Sequence, residues 1–388
     1  LFGGQITIQH TTGRLTIKST DASNGDATLS LISDAGATNE DFWSIFNEGT
    51  DNDLSFKNGN YEPVMTIAHT TGHLTTTGSI ISNRVNGVIS GSSTSTGSFG
   101  EVVVGGIARL RQQGSNLSFG LDALNVNTGT YNMGFGTEAL GYQTSGDRST
   151  AFGYQAGRNN VTGDYNVFMG FSAGRGATSG VYHNNVGIGY NALYSVNTAN
   201  KNTAVGAHAL YQIDKGVSSV AVGEIAGFYA TGSYNTFVGA EAGKGGTTSA
   251  PYSSGENNTA LGYQALTAFT TGNDNVAIGY RAGIVTTSAS GSVMIGSGAG
   301  DATTTGNGHV AIGYGALGSG NATADGAVAI GYMAGNTFTN AGNQGSVYIG
   351  YKAGQGIVNS QVVMIGWKAG SGYSGIGKGE GTTLVGHM

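Results

Sequence analysis

The chain has 388 residues and a net charge of −6, a balance that does not suit nucleic acid, which wants a basic stripe. Gly accounts for 71 residues, about 18% against a usual ~7%, while Pro is 2 and Cys is absent. Pro is too scarce for collagen, 38% apolar with 10% charged residues argues against disorder, and no Cys means no disulfides, thiolate metal sites or Cys nucleophiles.

Residues 1–84 hold two similar segments, ITIQHTTGRLTI (Ile6–Ile17) and MTIAHTTGHLTT (Met65–Thr76). Each reads strand, TTG turn, strand, which is a hairpin pattern. LSLIS and WSIFN between them alternate with period 2. A small N-terminal β-rich domain is predicted, itself trimeric, with His69 and His73 as plain turn neighbours. The chain opens on Leu1 without a signal peptide, so a processed or partial product is expected. Residues 85–112 form a Ser/Gly-rich linker whose VVVGG is a candidate bridging strand. Arg109–Arg111 (RLR) reads as a solvated edge or a contact between chains, with an anion site as the lesser alternative.

From residue 113 to 388 the sequence repeats. Sixteen Gly residues, Gly120 to Gly386, mark copies over 266 residues and 15 intervals, a mean spacing near 17.7. The residue before each Gly is large and apolar, as in Ile278 before Gly279 and Ile312 before Gly313. Two residues further back stands mostly Val or Thr, and the residue between is small or, less often, bulky. Three residues after the Gly stands Ala in all 15 complete copies, including Ala282 and Ala316, and the next position is only Leu or Gly. The position just after the Gly is aromatic in nine copies, including Tyr280 and Tyr314.

Val-x-Ile has period 2, so the branched pair shares one face of a strand. A period near 18 is too short for a strand–helix–strand unit. It suits one coil of a β-solenoid, expected to have two short strands and two turns. The Gly supplies positive φ or close backbone approach. The invariant Ala marks a corner or a place where chains meet, and the small-residue side is expected to need cover from sister chains. Thr, Ser, Asn and Gly between motifs are turn residues. No run approaches the ~18 apolar residues of a membrane span.

Chemical motifs are weak. GFSAG (Gly170–Gly174) matches a nucleophile elbow, but Ser172 sits where other copies carry Gln155, Arg281 and Lys352. GYGALG (Gly313–Gly318) matches a dinucleotide fingerprint without its strand–helix context. Asp164, Asp274, Asn257 and Asn258 read as Asx turns rather than calcium ligands. No catalytic residue, metal site or cofactor is expected. Stacked coils would turn the Tyr column into an aromatic ladder, for packing or for a sugar. Loops Lys244–Asn257 and Arg175–Asn184 project most, so Lys244, Tyr252, Tyr182, His183, Tyr280 and Tyr314 are the candidate recognition residues.

NVAIGYRAG, HVAIGYGAL, AVAIGYMAG and SVYIGYKAG resemble the head repeat of trimeric autotransporter adhesins. That resemblance implies a left-handed parallel β-roll of three chains. ISGSSTSTGSFGEVVVGG (Ile89–Gly106), FWSIFNEGTDNDLSFKN (Phe42–Asn58) and VMTIAHTTGHLTTTGSI (Val64–Ile80) resemble segments of phage tail fibres. The chain's close at Met388, inside a sixteenth copy, is compatible with the cleaved C-terminal chaperone of such fibres. The resemblance implies an extracellular, homotrimeric fibre of a virion, partnered by other tail proteins and by a host-surface glycan or protein. The alternative is the head of a bacterial surface adhesin. An ice-binding solenoid and a glycan depolymerase are weaker readings, since Thr falls in uneven loops and carboxylates are few.

Overall fold

A computed structural model describes residues 115–387 apart from 178–179, 247–251, 302, 320–324, 337–344, 358–360 and 373–380. It also describes strands within 27–76 and 102–113. The chain divides into two compact units, Leu1–Gly97 and Ser98–Met388. In the first, β1 (Ala27–Ile32), β2 (Phe42–Asn47), β3 (Leu54–Lys57), β4 (Pro63–Ile67) and β5 (Leu74–Thr76) pair in sequence order. All these pairings are antiparallel. The hairpin read in Met65–Thr76 is there, with Ile67 opposite Leu74. The one read in Ile6–Ile17 lies outside the described residues, as do His69 and His73.

In the second unit β6 (Val102–Val104) and β7 (Ala108–Gln113) form an antiparallel pair, so the VVV of the linker is a strand. β7 in turn lies antiparallel to β8 (Asn116–Phe119), with Leu110 opposite Phe119. From β8 onward sixteen strands, the last being β23 (Thr383–Val385), stack in parallel, one per coil. Register is kept residue for residue: Val276, Ala277 and Ile278 face Val293, Met294 and Ile295. At ~4.8 Å per rung the ladder is roughly 70 Å long. The second unit is thus an all-β solenoid with no helix among the described residues.

Each coil has one strand, where two were expected. After the repeat Gly the backbone turns through left-handed residues, such as Arg281 at φ +56° and Gly283 at φ +61°, and this cannot extend into a second strand. The repeat Gly is required twice over. Gly279 has φ +134°, and a Cβ there would sit 2.7 Å from the Gly296 carbonyl of the next coil. Coils are tied by backbone bonds at the corner too, with the Arg281 N–H donating to Tyr263 O at 2.9 Å.

The interior overturns one expectation. The small residues do not wait for a sister chain: Ala277, Ala282, Ala311 and Ala316 are fully buried in their own solenoid. The middle strand residue points inward, while the branched residues on either side point outward and stay half exposed. The choice of Leu or Gly after the invariant Ala is a volume rule. Leu140, Leu193, Leu210 and Leu266 occur in coils whose middle residue is Gly134, Gly187, Ala204 and Ala260. Where the corner carries Gly, a bulky middle residue fills the space. Phe168 covers both Gly157, where a Cβ would come within 2.8 Å of its ring, and Gly174. Phe237, Met294 and Tyr348 cover the pairs Gly227 with Gly243, Gly283 with Gly300 and Gly335 with Gly354. One large side chain thus serves two coils, which keeps the core at native packing density.

A buried polar ladder runs beside this core. Asn166, Asn185 and Asn202, then Asn235, Asn258 and Asn275, each precede a strand and are almost or wholly inaccessible. The Asn185 Oδ1 accepts the Asn202 N–H at 2.9 Å, and the Asn185 Nδ2 donates to Ala199 O at 2.9 Å. Ser219 and Ser292 hold the same place with a hydroxyl, as when the Asn235 N–H donates to Ser219 Oγ at 3.2 Å. Asn258, read as a turn residue, belongs to this ladder. A second, outer ladder uses Asp147, Asp164, His183 and Asn200, each accepting a backbone N–H from the coil before. Asp164 therefore does more than close its own turn: its Oδ1 accepts the Asp147 N–H at 2.7 Å.

Candidate recognition surface

The outer surface carries two aromatic columns. The first lies just after the repeat Gly, as the sequence predicts. Tyr154, Phe171 and Tyr190 stack at 5.0 and 5.6 Å between ring centres. Tyr263 stacks on Tyr280 at 5.7 Å. Tyr314, Tyr332, Tyr351 and Trp367 continue at 5.2, 5.2 and 6.0 Å. Offset stacking at these distances is favourable and orders the rings.

The second column was not anticipated. It lies five residues after the Gly and runs through Arg158, Arg175, Tyr194, Tyr211, Phe228 and Lys244. Tyr194, Tyr211 and Phe228 stack at 4.9 and 4.7 Å with their planes almost parallel. The Arg175 guanidinium lies over Tyr194 and donates to its hydroxyl at 2.7 Å. His208 joins the columns, 5.0 Å from Tyr190 and 5.6 Å from Tyr211. The first column lacks rings at Ala207 and Glu224, in two of the three coils where the second is aromatic. The signal was legible: a fixed offset from the repeat Gly, masked because the position holds Arg and Lys as well as aromatic residues. Burial pushes the Tyr211 phenol above its ordinary range, with the neighbouring Tyr194 and Tyr190 adding to this.

Tyr252 from the long loop stacks on Tyr229 at 5.9 Å and borders a cavity of about 550 Å³. Gln212, Asp214, Lys215 and Ser195 line the same cavity. Lys244 is partly exposed and lies 3.5 Å from the Glu241 carboxylate. Tyr182 is not available to a ligand: it is fully buried, and its hydroxyl donates to Gly174 O at 2.7 Å. Burial holds its phenol well above the ordinary range. Its side chain fills the base of the loop over Gly176 and Gly180, a packing role that a loop position does not reveal. The neighbouring His183 is half buried, and its Nδ1 accepts the Asp164 N–H at 2.9 Å. The Asp164 carboxylate approaches the same ring nitrogen to 3.5 Å.

Tyr280 and Tyr314 are both exposed, 55% each. Gly279, Gly313, Ala282 and Ala316 hold their corners, and Ile278 and Ile312 stand on the outer strand face. Ser172 of GFSAG is 2% exposed, and its N–H donates to Tyr154 O at 2.8 Å. GYGALG is an ordinary corner between strands, with no helix following. Among the described residues no group of three or more His, Asp or Glu is placed to hold a metal ion. Comparisons with protein families, with curated proteins and with solved structures find no match for the chain.

Proposed function

We propose that the chain is the shaft of a self-associating extracellular fibre that spans distance and touches a host surface, as a homotrimeric phage tail fibre does. One observation carries the reading. The solenoid fills its own interior, yet leaves a column of apolar residues outside along the whole rod. Phe152, Met169, Leu261, Ile330 and Ile365 are each at least 36% exposed in that column. Apolar strips of this extent on soluble proteins mark association. A strip roughly 70 Å long and about 10 Å wide offers about 700 Å² per chain, close to the ~800 Å² per partner of a stable interface. A second copy of the same chain has the same ~4.8 Å period and matches it rung for rung. Three chains is the number the repeat resemblance implies. Three copies of each surface site then raise avidity without a strong single site.

Ile278→Asp combined with Ile312→Asp places carboxylates on the outer face without touching the interior. Light scattering on the intact protein is expected to read three chains for the wild type and one for this variant. A single chain in the wild type at working concentration would remove the proposal. The bacterial surface adhesin shares the same rod. Immunogold labelling of the source material separates the two, on a virus particle or on a cell envelope.

A further inference from the structure

The first aromatic column breaks at Ser297, between the Tyr263–Tyr280 stack and the stack that starts at Tyr314. The coil at the break is the barest of the solenoid: Gly296, Ser297, Gly298, Ala299, Gly300. A Cβ on Gly298 would meet nothing within 4 Å. The next coil has Gly315 at the matching place, where other coils carry Arg281 or Met333. Ring and neighbouring side chain are thus both missing, and a notch results. The register continues through it, since the Gly298 N–H donates to Tyr280 O at 2.9 Å and the Gly315 N–H to Ser297 O at 3.0 Å.

Tyr280 and Tyr314 therefore stand two rungs apart, about 9.6 Å along the rod. One ring in van der Waals contact on both sides needs about 7–8 Å. Both tyrosines are 55% exposed, against 40 to 50% for the other aromatics of the column. The cavity measures about 230 Å³, below the ~300 Å³ where drug-sized pockets begin, and suits one six-membered ring. Its rim holds Arg281, Asp301 and Asn336. The rim offers a cation and an anion together, hence donors and an acceptor with no net charge. That combination suits neighbouring hydroxyls better than a carboxylate or phosphate. Aromatic faces carry negative quadrupole density and attract the C–H face of a pyranose.

We infer that the notch between Tyr280 and Tyr314 binds a single neutral hexopyranose unit, clamped between the two rings. Arg281 donates to its hydroxyls and Asp301 accepts from them. This rests on the adhesive reading of the fibre, to which it adds a ligand class.

The test is saturation-transfer NMR on the full chain, using the methyl glycosides of glucose, galactose and mannose. Transfer to ring C–H protons is expected from at least one glycoside. Ser297→Tyr supplies the missing rung and is expected to abolish it. Tyr280→Leu should weaken binding by about tenfold, one ring face being lost. Tyr234→Asn, which removes an equally exposed ring elsewhere, should leave it unchanged. Silence from all three glycosides, or a signal that survives Ser297→Tyr, would overturn the inference. So would binding of adenine in place of the sugars. Light scattering on the same samples separates the two ideas. Sugar binding by a single chain would sink only the association. A three-chain assembly that ignores the sugars would sink only the notch.

Discussion

Phe168 and Gly174 allow the volume rule of the core to be tested as a pair. Phe168 is fully buried and fills the space over both Gly157 and Gly174. Phe168→Ala should cost about 3–5 kcal/mol, the range for emptying a packed aromatic site. Gly174→Leu alone should be severe, because its side chain would run into the Phe168 ring, and overpacking of this kind costs about 1–3 kcal/mol or more. The backbone itself does not forbid Leu there. Gly174 has φ +57°, and Leu193 and Leu210 hold the same corner at φ +56° and +48°. With both changes the coil acquires the pattern of the Ala204 and Leu210 coil. Burial of the Leu should return about 1.5–3 kcal/mol. Space over Gly157 stays partly empty and the left-handed φ costs the Leu about 1 kcal/mol, so the double variant is expected about 1–4 kcal/mol below wild type, less than the two single costs added together. Urea unfolding of all four proteins measures the coupling. Costs that simply add in the double variant would refute the idea that one side chain and one corner share a volume.

Three further outcomes follow from other parts of the fold. Asn202→Ala orphans the buried Ser219 N–H and Gly216 O that Asn202 serves at 2.8 and 2.9 Å. It should cost about 2–5 kcal/mol, while Asn202→Ser, which imitates Ser219, stays under about 1 kcal/mol. Equal losses in urea unfolding would discredit the ladder. Ile225 is a β-branched residue held at φ +61°. Ile225→Asn, the residue type of Asn191 at the same corner, should gain about 1 kcal/mol, visible as a higher melting temperature; no gain would show that the site relaxes. Burial raises the Asp301 carboxyl above its ordinary range, with Arg281 opposing. The folded value thus exceeds the unfolded one, so stability is present at acid pH and is lost as pH rises through the folded value. Asp301→Asn should match wild type in acid and melt higher at neutral pH, and equal melting at both would contradict the assignment.

The repeat, its register and its all-β character were legible in the residues themselves. A Gly every 17 or so positions, flanked by Val-x-Ile before and Ala after, leaves little but a stacked coil. The aromatic column that holds Tyr280 and Tyr314 followed from the same regularity, though not as one unbroken ladder. Direction was another matter. Period 2 says that Val276 and Ile278 share a face, but not which face is inside. The corner decides that, because Ala282 and its left-handed neighbours curl the chain toward the middle strand residue. Pairings across coils were equally hidden. Phe168 with Gly157, the Asn ladder and the second column at Tyr194 and Tyr211 join residues one coil apart. No local pattern reports such contacts until the stacking is known. Sequence alone thus determined that the chain coils upon itself. Only the tertiary structure decided which side it hides, which side it leaves for others, and where a missing ring opens a notch. Inside and outside of a coil are properties of curvature, and curvature comes from the summed corner angles rather than from any one residue.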